Sequence, residues 1–345
     1  MMSFSTTSST SSKDNTDTEL YIDKDIVLFL NKQLGKGGFG QIYKGEHIKS
    51  HTPLGIKVEI INSHPHLESE YNILNLLQGG IGIPKIYKFI NTKEKNYLIM
   101  ELLGQSLDKL YSLCKKSFDM KTIIKIAIQM IERIEFIHSK GIIHRDIKPA
   151  NFLIGTKKKK KIIYLIDYGL SKRYIDKNTK EHIPLKDGKG LTGTARYVSL
   201  FTHYGIEQSR RDDIEGIAYN LIFLAKGKLP WQGVRVKNKK EKHKKIMEKK
   251  LAYSPDELCS GLPEEFPILL KYSRKLDFME CPDYDGIKAM FKDLLDKKKG
   301  VLDMKFCWEE KNEIEDSEDE KDEKNEKEDK EKKNEKGLVN NKFNK

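Results

Sequence analysis

Cysteine is scarce in this sequence: four in 345 residues, Cys114, Cys259, Cys281 and Cys307, with no C-x-x-C pair among them. That spacing argues against a disulfide framework or a zinc site and fits reduced thiols inside a cell. Long apolar runs are missing too. Nowhere do 18 apolar residues follow one another, so no stretch reads as a membrane-crossing helix. The opening MMSFSTTSSTSSKDNTDT lacks the apolar centre of a secretion signal, and a soluble protein of the cytoplasm or nucleus is expected. Negative charge is short over most of the chain. The net charge is +12, yet Glu309 to Lys345 holds 15 acidic and 10 basic residues, which leaves +17 on the preceding 308. A body that basic expects acidic or phosphorylated proteins, nucleic acid or an anionic surface as partners.

What is present is unevenly distributed. Residues 1–22 are rich in Ser and Thr with little to bury, and residues 309–345 are a charged low-complexity tail. Both are expected to be disordered. The folded part is read as 23–308, long enough for two lobes, with a boundary near 102–103. Between Phe118 and Lys140, apolar residues at Ile123, Ile124, Ala127, Met130, Ile131, Ile134 and Ile137 predict a helix. A second, strongly apolar helix is predicted over Ile214 to Leu224, with Asp212 and Asp213 as N-terminal caps. Lys237 to Lys250 reads as a basic amphipathic segment, and Ser171 to Arg211 as a long loop of the kind that carries function.

The chemistry concentrates between Ile142 and Leu170, IIHRDIKPANFLIGTKKKKKIIYLIDYGL. Two short apolar runs, Phe152 to Ile154 and Ile162 to Ile166, flank a polar, basic connection and read as a hairpin. Asp146 and Asn151 precede its first strand and Asp167 follows its second. Closing the hairpin gathers two carboxylates, an amide and Lys148. Hard oxygen donors beside a lysine suit Mg²⁺ and phosphate oxygens, so the set reads as phosphoryl-transfer machinery. The five lysines 157–161 read as a solvated turn.

Upstream, Gly35-Lys36-Gly37-Gly38-Phe39-Gly40-Gln41-Ile42 spells G-x-G-x-x-G-x-I. In dinucleotide-binding folds such glycines open a helix; here a strand is predicted next, over Gln41 to Glu46, which disfavours an oxidoreductase. Lys57 stands inside the apolar strand Leu54 to Val58 and needs a partner. The helix predicted over Leu67 to Leu74 offers Glu68 or Glu70, of which Glu68 is favoured. Glu101 to Gly104 reads as a hinge.

With the glycine loop, Lys57, H-R-D-x-K-x-x-N and D-Y-G in this order, the chain resembles the eukaryotic protein kinases. Gln78 to Pro84 (QGGIGIP), Met100 to Gly104 (MELLG), Leu191 to Tyr197 (LTGTARY), Gly205 to Asp213 (GIEQSRRDD) and Leu229 to Gly233 (LPWQG) narrow the resemblance to the casein kinase I family, from about residue 27 to Trp308. Ser199-Leu200-Phe201 stands where most kinases have A-P-E and that family has a Ser-Ile-Asn motif. The resemblance implies a bilobal α+β fold, with a small β-rich lobe bearing one main helix and a larger helical lobe. It implies a serine/threonine kinase using ATP and Mg²⁺, acting as a monomer on protein substrates that are acidic or already phosphorylated.

Its site residues carry over as follows. Gly35, Gly37 and Gly40 cover the ATP phosphates, and Lys57 holds them while paired to Glu68. Leu34, Ile42, Gly55, Met100, Glu101, Leu103 and Leu153 line the nucleotide pocket. Asp146 accepts or orients the substrate hydroxyl proton, Lys148 stabilises the transferring phosphoryl group, Thr194 braces both, and Asn151 and Asp167 hold Mg²⁺. Arg196 and Lys242, the latter beside Lys239 and Lys240, form the anion pocket for a substrate phosphate. Departures are few: Tyr168 in D-Y-G for D-F-G, Gly55 for an alanine over the adenine, Ala150 for an aspartate, and Phe201 for the asparagine of Ser-Ile-Asn. A silent kinase-fold scaffold is the alternative, and the presence of Lys57, Asp146, Asn151 and Asp167 argues against it. No nucleic-acid-binding motif is found.

Overall fold

A computed structural model describes residues 18–37, 40–61, 65–236, 238–302 and 305–309. The expectations for residues 1–17 and for the tail beyond 309 therefore lie outside the described residues. The chain divides into two compact units, a smaller one within Met1–Gly79 and Ile83–Leu103, and a larger one in Gly80–Gly82 and Gly104–Lys345.

The smaller unit is built on a six-stranded antiparallel sheet with one helix. Its strands are β1 (Glu19–Asp23), β2 (Ile26–Gly37), β3 (Gly40–His47), β4 (Thr52–Ile60), β5 (Ile86–Asn91) and β6 (Lys95–Glu101), and its helix is α1 (Leu67–Leu76). The spatial order is β1-β2-β3-β4-β6-β5. Period-two alternation explains the core: Ile26 and Leu28 of β2, Leu54 and Ile56 of β4, and Tyr97 and Ile99 of β6 form one buried cluster. The other face of β4 carries Gly55, Lys57 and Glu59, and α1 packs against β5 and β6. Strand β1 falls inside the segment expected to be disordered. It pairs with β2, and Leu20 and Ile22 cover the cluster, so the fold starts before residue 23.

The larger unit is mostly helical. Its helices are α2 (Leu107–Leu113), α3 (Met120–Ser139), α4 (Leu200–His203), α5 (Arg210–Lys226), α6 (Lys239–Leu251), α7 (Pro255–Leu258), α8 (Glu265–Lys275) and α9 (Tyr284–Lys297). Short strands β7 (Ile142–Ile143), β8 (Phe152–Ile154), β9 (Ile163–Leu165) and β10 (Lys172–Arg173) form two small ladders, β7 with β10 and β8 with β9. Helix α3 starts because Asp119 accepts a bond from the Thr122 N–H. Its seven predicted apolar positions are all buried, the six isoleucine and methionine side chains contributing about 1.5–3 kcal/mol each, and it packs on α5 and α9. Helix α5 opens with a capping box between Ser209 and Asp212 and stops at Gly227, in the left-handed conformation. Among the described residues no helix is long and apolar enough to cross a membrane, and all four cysteines are free thiols.

Candidate active site

The predicted hairpin forms: Phe152 pairs with Leu165, Leu153 with Tyr164 and Ile154 with Ile163. Beyond its open end, the Ile166 N–H bonds the Asn151 carbonyl at 2.9 Å. The residues flanking the two strands, Asn151 and Asp167, are therefore brought to the same end. Lysines 157–161 are exposed at the other end, as a solvated turn requires.

Ahead of the hairpin, the loop from His144 to Lys148 wraps around Asp146. One carboxylate oxygen accepts from the Thr194 hydroxyl at 2.7 Å and from the Thr194 N–H at 2.9 Å. The other meets the Lys148 ammonium at 2.5 Å. The Asn151 amide donates to the Asp146 carbonyl at 2.9 Å, which closes the turn. Four predicted residues, Asp146, Lys148, Asn151 and Thr194, are thus one hydrogen-bonded cluster. Asp146 is buried, so the direction its carboxylate faces is set by these neighbours.

What holds this loop is a residue assigned only a capping role above. Asp212 does cap α5, bonding the Ser209 N–H at 2.7 Å. Asp213 turns instead to the loop His144–Lys148. It accepts from the His144 N–H at 2.7 Å, the Arg145 N–H at 2.9 Å and the His138 ring at 2.9 Å. Burial alone would raise its carboxyl, but the His138 hydrogen bond and charge hold it below the ordinary value. Asp212, equally buried and less well compensated, is pushed up to about 7. No local pattern distinguishes the two aspartates, because the partners of Asp213 lie about 70 residues earlier.

The metal expectation passes a test of donor chemistry. Asn151 spends its N–H₂ on the Asp146 carbonyl, which leaves its amide oxygen as the donor for a cation. Asp167 sits in the left-handed conformation directly before the turn Tyr168–Leu170. Among the described residues no cluster of three His, Cys, Asp or Glu side chains could hold a metal by itself. A cation here would take two protein oxygens and complete its shell from phosphate and water, the Mg²⁺ habit.

In the smaller unit, β2 and β3 carry Gly35 opposite Ile42, and Ile42 in turn lies opposite Lys57 of β4. Of Gly35, Gly37 and Gly40, the last cannot be replaced: its φ is +135°, and a Cβ there would fall 2.4 Å from the Val58 carbonyl oxygen. Leu34 is exposed near the tip of β2. Gly55 lies opposite Met100, and Leu54 opposite Glu101. Leu103 closes this unit, whereas Leu153, on β8, belongs to the larger one.

A protein kinase domain model matches residues 29–297. The chain belongs to the protein kinase family. A bilobal α+β kinase domain, ATP as phosphoryl donor and proteins as acceptors follow from that membership.

For this kinase the expected partner of Lys57 is corrected. Lys57 pairs with Glu70, at 2.6 Å and with both side chains buried, and not with Glu68, which is exposed. Leu67, Glu70 and Leu74 are spaced three and four apart and form the buried face of α1; Glu68 lies off that face. The apolar spacing of the helix was the signal that selects Glu70. We expect Glu70→Gln to lower kcat/KM for ATP by about tenfold or more, since it removes the Glu70 charge that positions a buried lysine, and Glu68→Gln to leave it unchanged. Equal effects of the two substitutions in steady-state kinetics would reject the assignment.

Gly55 leaves usable space in this kinase. A methyl there would meet the Glu101 carbonyl oxygen at 3.4 Å and the Met100 side chain at 3.7 Å, close to ordinary contact. With Gly55 over the adenine, as the family resemblance implies, adding the methyl should tighten ATP several-fold, from ~0.8 kcal/mol per buried carbon. A KM for ATP unchanged or raised in Gly55→Ala would contradict this.

The two predicted anion residues are placed differently. Arg196 is exposed, its guanidinium lying over the Tyr197 and Phe223 rings at 5.6 and 6.0 Å. Its carbonyl accepts from the Trp231 indole at 2.8 Å. Lys242 is exposed in the first turns of α6. Among the described residues no hydrogen bond or ion pair joins it to Arg196. The residue that sequence reasoning passed over is Lys250, on the inner side of α6. It is fully buried, donates to the carbonyls of Ala195 and Val198, and lies over the Tyr219 and Trp231 rings. Burial pulls its amine down to about 7.

Proposed function

We propose that this protein is a serine/threonine kinase of the casein kinase I type, which phosphorylates acidic or previously phosphorylated proteins. The observation that carries the reading is the junction at Asp146, where Thr194 takes one carboxylate oxygen and Lys148 the other. A lysine two residues after the aspartate is the serine/threonine arrangement. The substrate hydroxyl oxygen attacks the γ-phosphorus, the bond to the β–γ bridging oxygen breaks, and the hydroxyl proton passes to the Asp146 carboxylate. Lys148 stabilises charge on the moving phosphoryl group. Lys57, fixed by Glu70, steadies the α- and β-phosphates. Mg²⁺, held by Asn151 and Asp167, supplies charge neutralisation on the phosphates when bound.

The substrate class rests on Arg196. Its ring-stacked guanidinium stands on a turn whose carbonyls are fixed by Trp231 and Lys250, so it is presented to solvent from a rigid base. A phosphate brings about −1.5 to −2 charge and is well matched by such a cation.

The test compares ³²P transfer from Mg-ATP to two matched peptides, one with phosphoserine three residues before the target serine and one with plain serine there. Preference for the primed peptide, reduced in Arg196→Ala, supports the whole reading. Equal use of both keeps the kinase and removes the anion pocket. No transfer to either peptide or to casein leaves a kinase-fold scaffold.

A further inference from the structure

We propose that Glu59 is a positioning residue for the ATP-holding lysine: it clamps the first turn of α1 and so sets the helix rotation that brings Glu70 to Lys57. The inference rests on the reading that Lys57 holds nucleotide phosphates.

The first N–H groups of any helix lack partners inside the helix. Helix α1 supplies no side-chain cap of its own, since its N-cap residue His66 is in the right-handed helical conformation and makes no capping bond. Glu59 supplies one from the sheet. Its carboxylate accepts from the His66 N–H at 2.7 Å, and both its oxygens accept from the Leu67 N–H at 3.2 Å. Negative charge at this end of a helix is favourable. The carboxylate is held in turn by the Asn96 amide at 3.1 Å, and Asn96 by the Asn91 amide at 2.7 Å. Glu59 and Asn96 are both buried, so this polar chain runs inward from the exposed Asn91 at the end of β5, through β6, to α1.

The placement follows from two periods. In β4, Lys57 and Glu59 are two residues apart and share a face. In α1, Leu67 and Glu70 are three apart and share a face. Two links therefore join the same strand face to the same helix face: Glu59 to the backbone at Leu67, and Lys57 to the side chain of Glu70. The apolar face of α1, with Leu67 and Leu74 buried, holds the helix against the sheet, and these two polar links set its rotation there. A lysine two residues from its own helix clamp on one rigid strand moves with it as a unit.

The test is a double-mutant cycle on the full chain, read as kcat/KM for ATP. Glu59→Ala is expected to lower it by roughly ten- to a hundredfold, the scale at which small misplacements of binding groups act. In a Glu70→Ala background the same substitution should add less than about twofold, because the pair through which it acts is already gone. Losses that multiply instead would mean a merely structural cap and would overturn the proposal. Should Glu59→Ala unfold the protein, adding His66→Asp gives α1 a cap of its own and is expected to restore both fold and kcat/KM. A refolded double variant that stays inactive also overturns it, as does a folded Glu59→Ala enzyme with unchanged kcat/KM. Lys57→Ala is measured alongside. If it retains full kcat/KM for ATP, the phosphate reading of Lys57 has failed, whatever Glu59 does.

Discussion

Asp146→Asn is expected to lower phosphoryl transfer by about 10²–10⁴-fold, the usual contribution of a positioned general base. The geometry makes this a clean substitution. An asparagine oxygen can still accept from the Thr194 N–H and hydroxyl, which lie at 2.9 and 2.7 Å from the carboxylate. The amide nitrogen then faces Lys148, donor against donor, where the ion pair stood at 2.5 Å. Stability should fall by only about 1–3 kcal/mol, because one charged hydrogen bond is lost while the loop keeps its Asp213 anchors. Initial rates with labelled ATP, beside urea unfolding of the same preparation, separate the two effects. A folded variant with a rate within tenfold of the original would remove Asp146 from the proton-accepting role.

Asp213→Ala should do the reverse, with the damage falling first on the fold. The substitution strips the acceptor from the His144 and Arg145 N–H groups and from the His138 ring, all in the interior. Losing a buried, charge-assisted network of this kind costs about 3–5 kcal/mol. Asp213→Asn keeps one acceptor and should cost less. The pH dependence follows from the depressed carboxyl of Asp213. Its stabilising contribution is fully present above the unfolded value of 3.8 and is lost as pH falls through the lower folded value. The stability gap between the original protein and Asp213→Asn should therefore be constant near neutrality and shrink below about pH 4. A gap that does not shrink below about pH 4 would show that Asp213 does not carry the charge of this network.

How much of this was readable beforehand depends on sequence distance. Asp146, Lys148 and Asn151 sit within six residues, and their hairpin brings Asp167 to the same end, so spacing alone located that cluster. The helices α3 and α5 were readable from apolar spacing. What escaped was set by rotation and by long-range partners. Choosing Glu70 over Glu68 required knowing which face of α1 is buried, and that face is fixed by Leu67, Leu74 and the Glu59 clamp. Strand β1 was hidden because five residues next to a Ser/Thr-rich segment carry too weak an alternation until β2 is there to pair with them. Lys250 looked like one more cation in a basic run; only the packed helix shows that it points inward to carbonyls and rings.

Helix α3 also has a consequence for how the chain is made. Its N-terminal half is tied to residues at the far end of the described chain. The Thr122 hydroxyl accepts from the Cys307 N–H at 3.1 Å and the Lys125 ammonium donates to the Lys305 carbonyl at 2.8 Å, while just ahead of the helix the Phe118 ring lies 5.2 Å from that of Trp308. Its C-terminal end is tied to Tyr284 through His138 at 2.6 Å. These partners are synthesised long after Ser139, on the order of ten seconds or more at ~5–20 residues per second. Through that interval the helix holds an apolar face with its final covering still unmade. Folding of the larger unit is thus a high-contact-order, late-closing event, and the newborn chain is most vulnerable to misassociation just before residues 305–309 arrive.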